Sequence, residues 1–129
     1  GSWVGGVAPT AADVAVFDDI YGIENNSLFT GGAINWSGVK ITGNVPRSKA
    51  WIANSTYSAR VQLGTAGVDL STAPRDLDIY NVEINGNQTW NIGAGRIFEV
   101  GSVGFRGTGD IDITGDGRVI LKQDTGGIT

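Results

Sequence analysis

The sequence predicts an all-β protein folded as a right-handed parallel β-helix, a solenoid with three strands per rung. Three observations lead to this prediction: short apolar-polar-apolar triplets, a period of about 21 residues between corresponding triplets, and glycine or asparagine in the gaps. Glycine supplies 21 of the 129 residues, whereas proline supplies only three. This composition indicates many tight turns between short strands.

The triplets are minimal β-strand signals, because alternate side chains of a strand point to opposite sides. They begin at Val61, Val68, Leu77, Val82, Trp90, Phe98, Ile111 and Val119. Three columns share the period: Val61, Val82 and Val103; Leu77, Phe98 and Val119; Val68, Trp90 and Ile111. The apolar residues that flank each polar centre are predicted to face the interior. Rungs stacked about 4.8 Å apart would then bury one continuous core.

The period is less regular towards the N-terminus. Val39 stands 22 residues before Val61 and is assigned to its column, whereas Ile34–Trp36 is assigned to an earlier face. We expect a single module over residues 1–129, with a capping region at 1–33, an irregular insertion at 44–60 and regular rungs at 61–129. A β-sandwich is the alternative fold, but it predicts hairpins and not three columns with one period.

Composition restricts the function. A net charge of −4 without a Lys/Arg cluster disfavours nucleic acid, and no apolar stretch approaches the roughly 20 residues that span a membrane. The absence of cysteine and histidine excludes a thiolate nucleophile, a Ser-His pair and a conventional zinc site. We therefore expect no cofactor and no metal. Calcium near Asp13, Asp18 and Asp19, or near Asp110 and Asp116, is disfavoured because neither loop has a known calcium-binding spacing.

The segment from Leu77 to Arg96 contains a strand, Gln-Thr-Trp at 88–90 and Gly-Arg at 95–96. Together with the stretch from Gly107 to Leu121, it resembles the autotransporter-associated β-strand repeats of large bacterial surface and secreted proteins. This resemblance implies a parallel β-helix in an exported protein and carries over no catalytic residue. At fold level the chain also resembles the β-helical carbohydrate-binding modules attached to xylan-degrading enzymes.

The irregular insertion holds the first candidate ligand-binding residues, because loops on a rigid scaffold often carry function. They are Arg47, Trp51, Asn54 and Tyr57. Aromatic rings beside amides and charges suit the apolar CH face of a sugar and its hydroxyl groups. The structural alternative is a flap that covers one face of the solenoid. Trp90 is predicted to be a core residue, whereas Trp36 fits either a cap or a ligand contact.

Polar residues at the triplet centres are predicted to form outward rows. The rows are Gln62 with Glu83, Asp69 with Asn91 and Asp112, and Asp78 with Glu99. Within them, Glu83, Asn91 and Glu99 are the second group of candidate ligand-binding residues. A solvated face without ligand is the alternative. Catalysis is disfavoured because solvated carboxylates lack an environment that raises one pKa.

These inferences favour a non-catalytic module that binds a plant cell-wall polysaccharide, with xylan first and another β-glycan next. We expect the module to be extracellular, secreted or on the cell surface, and appended to a larger enzyme or surface protein. The alternative function is a structural spacer or passenger segment of a bacterial surface adhesin. Outward aromatic side chains favour binding over the spacer.

Overall fold

The computed structural model is a parallel β-solenoid of about 4 turns with a repeat of about 23 residues, slightly longer than the expected 21. The structure describes residues 6–18, 27–29, 32–43, 49–53 and 60–122. Within these ranges, no helix has the length and apolar character needed to cross a membrane.

Ten strands follow one another along the described chain. They are β1 (Val14–Phe17), β2 (Ser27–Phe29), β3 (Ile34–Ile41), β4 (Lys49–Ala53), β5 (Val61–Leu70), β6 (Asp76–Asn85), β7 (Gln88–Ile92), β8 (Ile97–Thr108), β9 (Ile111–Thr114) and β10 (Arg118–Leu121). Every pairing between them is parallel. Four strands, β3, β5, β6 and β8, pass a corner and continue onto a second face.

The pairings define three faces. Face A contains β1, the second halves of β3 and β5, and then β7 and β9. Face B contains the first halves of β3 and β5 and the second halves of β6 and β8. Face C contains β2, β4, the first halves of β6 and β8, and β10. The prediction of three strands per rung is therefore confirmed.

The core consists of apolar columns that run from rung to rung. Leu77 lies opposite Phe98, which lies opposite Val119, so this predicted column is confirmed. Val68 lies opposite Trp90, and Trp90 is buried as predicted. The rings of Trp90 and Phe98 meet edge to face with centroids 5.0 Å apart, an arrangement that aromatic pairs favour.

In the other two predicted columns, the assignments of Val103 and Ile111 were wrong. Val82 lies opposite Phe105 rather than Val103, because β8 has two more residues at this corner than β6. The same displacement places Ile113, and not Ile111, opposite Trp90. The segment from Thr114 to Arg118 is two residues shorter than the corresponding segment from Asn91 to Ile97 in the rung before. This difference restores the 21-residue spacing at Val119.

The N-terminal rungs also differ from the prediction. Val39 lies opposite Val68 on face A, and it is Ile34 that lies opposite Val61. The assignment of Val39 was wrong because these rungs are longer than 21 residues. Trp36 is buried against Phe17, with ring centroids 6.2 Å apart, and is therefore a core residue.

Residues 44–60 are not irregular throughout. They include β4, which pairs with β2 on one side and with β6 on the other. Ala50 and Ile52 are buried in the core, whereas Trp51 between them is only half-buried. Trp51 therefore belongs to a stacked strand of face C and not to a flap.

Close backbone approach between rungs explains one of the glycines. Gly67 has a φ of 63°, and a Cβ atom there would collide with the backbone carbonyl oxygen of Thr89 in the next rung. Gly95 has a similar φ of 75°, but a Cβ atom there would meet open space. An alanine at Gly95 would therefore have only the cost of the left-handed backbone, whereas an alanine at Gly67 would have that cost and a steric collision.

We predict that Phe98→Ala lowers the free energy of unfolding by about 3–5 kcal/mol, because it removes a fully buried aromatic ring from the core. Urea denaturation followed by circular dichroism measures this loss. Val103→Ala, at a position that is 36% exposed, is the control and should change stability by about 0.5 kcal/mol or less. A loss below about 1 kcal/mol for Phe98→Ala would contradict the assigned column.

We predict that Gly67→Ala destabilises the protein much more than Gly95→Ala. The left-handed backbone costs an alanine roughly 1–2 kcal/mol at either site, and only Gly67→Ala adds a collision with rigid backbone. Thermal unfolding of the two variants in parallel gives the comparison. Equal losses would show that the rungs do not approach closely at Gly67.

Candidate functional site

The predicted ligand-binding residues that the structure describes lie on three different faces. Trp51 and Glu99 are on face C, Glu83 is on face B and Asn91 is on face A. The remaining candidates, Arg47, Asn54 and Tyr57, lie outside the described residues. The structure therefore does not gather these four into one site, and each face has to be considered separately.

On face C, Trp51 begins a line of outward side chains. It lies opposite Asp78, which in turn lies opposite Glu99, so the predicted pairing of Asp78 with Glu99 is confirmed. Successive members stand about 4.8 Å apart, the spacing of neighbouring strands. Sequence reasoning missed the position of Trp51 in this line because Trp51 precedes Asp78 by 27 residues, well beyond the expected period.

A lysine from the last described rung reaches back to this line. The Nζ atom of Lys122 lies 3.5 Å from Oδ2 of Asp78 and 3.8 Å from Oε2 of Glu99. Asp78 is only 1% exposed, so the expectation of a solvated carboxylate is wrong at this position. Because a buried carboxylate is costly unless it is paired, the ammonium group of Lys122 stabilises the charge of Asp78.

Tyr80 lies at the corner where β6 leaves face C, in the register interruption between Ile79 and Asn81. It is half-buried. We call Trp51, Asp78, Tyr80, Glu99 and Lys122 the Trp51 row.

On face B, Glu83 is held by neighbours from the rungs on either side of it. Its carboxylate accepts a hydrogen bond of 2.7 Å from Nε2 of Gln62, and it lies 2.6 Å from Nε of Arg60 and 3.4 Å from Nε of Arg106. The hydrogen bond from Gln62, followed by the charges of Arg60 and Arg106, holds the pKa of Glu83 below its ordinary value, although burial opposes this. Glu83 therefore cross-links rungs.

On face A, Asn91 lies opposite Asp69 as predicted, but it lies opposite Thr114 and not Asp112. The assignment of Asp112 was wrong because the two-residue displacement of β9 also moves the outward side chains. Burial raises the pKa of Asp69, but hydrogen bonds from the Ser71 hydroxyl and amide and the charge of Lys40 lower it more. The net pKa of Asp69 lies below its ordinary value.

This electrostatic pattern restricts the chemistry of two strand faces. A carboxyl group that donates a proton to a leaving group needs a raised pKa, whereas the pKa values of Asp69 and Glu83 are lowered. Among the described residues, no group of three or more acidic, histidine or cysteine side chains is placed to hold a metal ion. The carboxylates of Asp69 and Glu83 therefore act as negative charges and hydrogen-bond acceptors.

Comparisons with models of known protein families, with characterised proteins and with solved structures give no match for this chain. The resemblance to autotransporter-associated repeats therefore rests on the residue pattern, and the resemblance to xylan-binding modules rests on the fold alone. The parallel β-solenoid itself is the part of that resemblance that the structure supports.

We predict that Glu83 makes stability depend on pH. Because its folded pKa lies below the ordinary value of 4.5, its stabilisation is complete above that pH and is lost as the pH falls through the folded pKa. Glu83→Gln should lower the free energy of unfolding at pH 7 by about 1 kcal/mol, and the difference from the parent protein should shrink at pH 3. Urea denaturation at both pH values measures it.

The control for this experiment is Asp112→Asn, because Asp112 is an exposed carboxylate with no ion pair in the described part of the chain. It should leave the stability at pH 7 within about 0.5 kcal/mol of the parent protein. A Glu83→Gln variant with the same pH dependence as the parent would contradict the role of the Gln62, Arg60 and Arg106 contacts.

Proposed function

We propose that this protein is a non-catalytic module that binds a plant cell-wall polysaccharide outside the cell, with xylan as the first candidate and another β-glycan as the next. The observation that supports the proposal is the Trp51 row. It combines the half-buried ring of Trp51 on face C, and Tyr80 at the adjoining corner, with a carboxylate and an ammonium group.

The chemistry of the row suits a sugar chain. Aromatic rings bury the apolar CH faces of sugar units, and a charged group binds a hydroxyl more strongly than a neutral group does. The carboxylate of Glu99 accepts hydrogen bonds from hydroxyls, and the ammonium group of Lys122 donates them. Because Trp51 and Glu99 stand on strands and not on loops, little ordering of these two side chains is needed when a ligand binds.

A structural spacer from a surface adhesin is the second candidate. It is favoured by the ion pairs that join successive rungs, such as Lys40 with Asp69 at 3.4 Å and Arg96 with Asp76 at 3.5 Å. Such pairs resist sliding of one rung over another and stiffen the coil. In this case the Trp51 row would have no ligand.

We predict that xylan in a native gel retards the protein and that Trp51→Ala strongly reduces the retardation. The variant removes the ring that is expected to contact the sugar faces, and Tyr80→Ala should weaken the retardation. Gels that contain xylan, glucomannan, pectin or no polymer are run in parallel, and the melting temperature of each variant is measured. Val16→Ala, at an exposed position on face A, is the control and should behave like the parent protein.

Two results would contradict this proposal. A parent protein that no polymer retards would favour the spacer. Retardation that is unchanged in both Trp51→Ala and Tyr80→Ala would show that the ligand does not bind at the Trp51 row. Variants at Arg47, Asn54 and Tyr57, and then at Glu83 and Asn91, would locate the binding site in that case.

A further inference from the structure

A cleft lies at the corner between face B and face A, away from face C. Its volume is about 410 Å³, and it is a shallow depression that opens widely to solvent. It is lined by Thr65, Asn87, Gln88, Thr89, Asp110, Ile111 and Asp112. We call it the corner cleft. None of its lining residues belongs to the Trp51 row.

Three successive rungs build the corner cleft. Gln88 lies opposite Ile111 and Thr89 lies opposite Asp112, while Thr65 comes from the rung before. The backbone N–H of Gln88 donates to the backbone carbonyl oxygen of Asp110 at 2.9 Å. This hydrogen bond joins the corner before β7 to the corner before β9. Polar side chains are therefore repeated at the rung spacing of about 4.8 Å.

The floor of the corner cleft is fixed by hydrogen bonds within the core. Gln88 is only 5% exposed, and its Nε2 atom donates to the carbonyl oxygens of Leu63 at 3.0 Å and Gly86 at 3.3 Å. Its Oε1 atom accepts a hydrogen bond of 2.8 Å from Nε1 of Trp90. A ligand in the cleft therefore meets a surface that needs no rearrangement.

The rim of the corner cleft, in contrast, carries polar groups that are available to a ligand. Oδ1 of Asn87 accepts a hydrogen bond of 2.9 Å from the amide of Asp110, which leaves the NH₂ group of Asn87 as a donor. Thr65 and Thr89 contribute exposed hydroxyls, and Ile111 contributes an apolar wall.

The carboxylates of the corner cleft differ from the carboxylates that form ion pairs between rungs. Carboxylates that pair with a lysine or arginine of another rung are Asp69, Asp76, Asp78, Glu83 and Glu99. Asp110 and Asp112 make no such pair within the described part of the chain, and both are exposed. Their oxygen atoms are thus free to accept hydrogen bonds from a ligand.

We propose that the corner cleft is a second sugar site, which binds a short neutral oligosaccharide independently of the Trp51 row. Ligand hydroxyls would donate to Asp110 and Asp112 and accept from the amide of Asn87 and the threonine hydroxyls. A CH face of the sugar would pack on Ile111. The proposal takes its ligand class from the proposed function, but it concerns a different surface and does not need Trp51.

The test is a titration of the ¹⁵N-labelled full chain with xylotriose, followed by amide chemical shifts. The amides of 87–89 and 110–112 should shift in the parent protein and equally in Trp51→Ala. Thr89→Val and Asp112→Asn together should weaken this binding roughly tenfold, because they remove one hydroxyl and one charged acceptor. Thr114→Val, which removes an exposed hydroxyl of face A outside the cleft, is the control, and the spectra show whether each variant is folded.

The possible results separate this inference from the proposed function. Xylan binding that needs Trp51, with no shift at the corner cleft, would overturn the second site and keep the Trp51 row. Xylotriose shifts at the cleft alone would support the cleft and overturn the Trp51 row. No response to xylan or xylotriose would overturn both, and cleft shifts with calcium chloride but not with xylotriose would assign the cleft to a cation instead of a sugar.

Discussion

The structure depends on the parallel, in-register stacking of apolar columns between rungs. No rung can bury its own inward side chains, so Phe98 becomes a core residue only because Leu77 precedes it and Val119 follows it in the stack. The strand hydrogen bonds and the apolar burial therefore form together, and a change in register disturbs both. The extra corner residues of β8 are tolerated because the following turn is shorter by the same number.

The same stacking determines where a ligand can bind. Outward side chains repeat at the rung spacing, and on the strand faces most described carboxylates are paired with a cation from another rung. Glu83 illustrates the consequence, because its contacts with Arg60 and Arg106 hold three rungs together and fix its charge. The two proposed binding surfaces, the Trp51 row and the corner cleft, lie on different sides of the coil.

The sequence predicts those parts of the structure that depend on neighbouring rungs of equal length. The column of Leu77 and the pairing of Gln62 with Glu83 follow from a 21-residue interval and are confirmed. The sequence did not predict that Phe105 lies opposite Val82 or that Trp51 lies opposite Asp78, because these intervals are longer than 21 residues. The sequence of a longer rung does not indicate where its extra residues lie. The ion pair of the buried Asp78 is made with Lys122, 44 residues further along the chain, and the corner cleft is built by residues from three rungs. Neither property is encoded within one repeat.

The register around the β8 corner tests the stacked core most directly, because a uniform 21-residue repeat and the structure place different residues beneath Val82. Nuclear Overhauser contacts between the Val82 methyl groups and surrounding side chains distinguish the two arrangements. The structure predicts stronger contacts from Val82 to the ring of Phe105 than to the methyl groups of Val103. Contacts to Val103 without contacts to Phe105, or cross-strand contacts typical of antiparallel pairing, would contradict the stacked register on which both proposed binding surfaces depend.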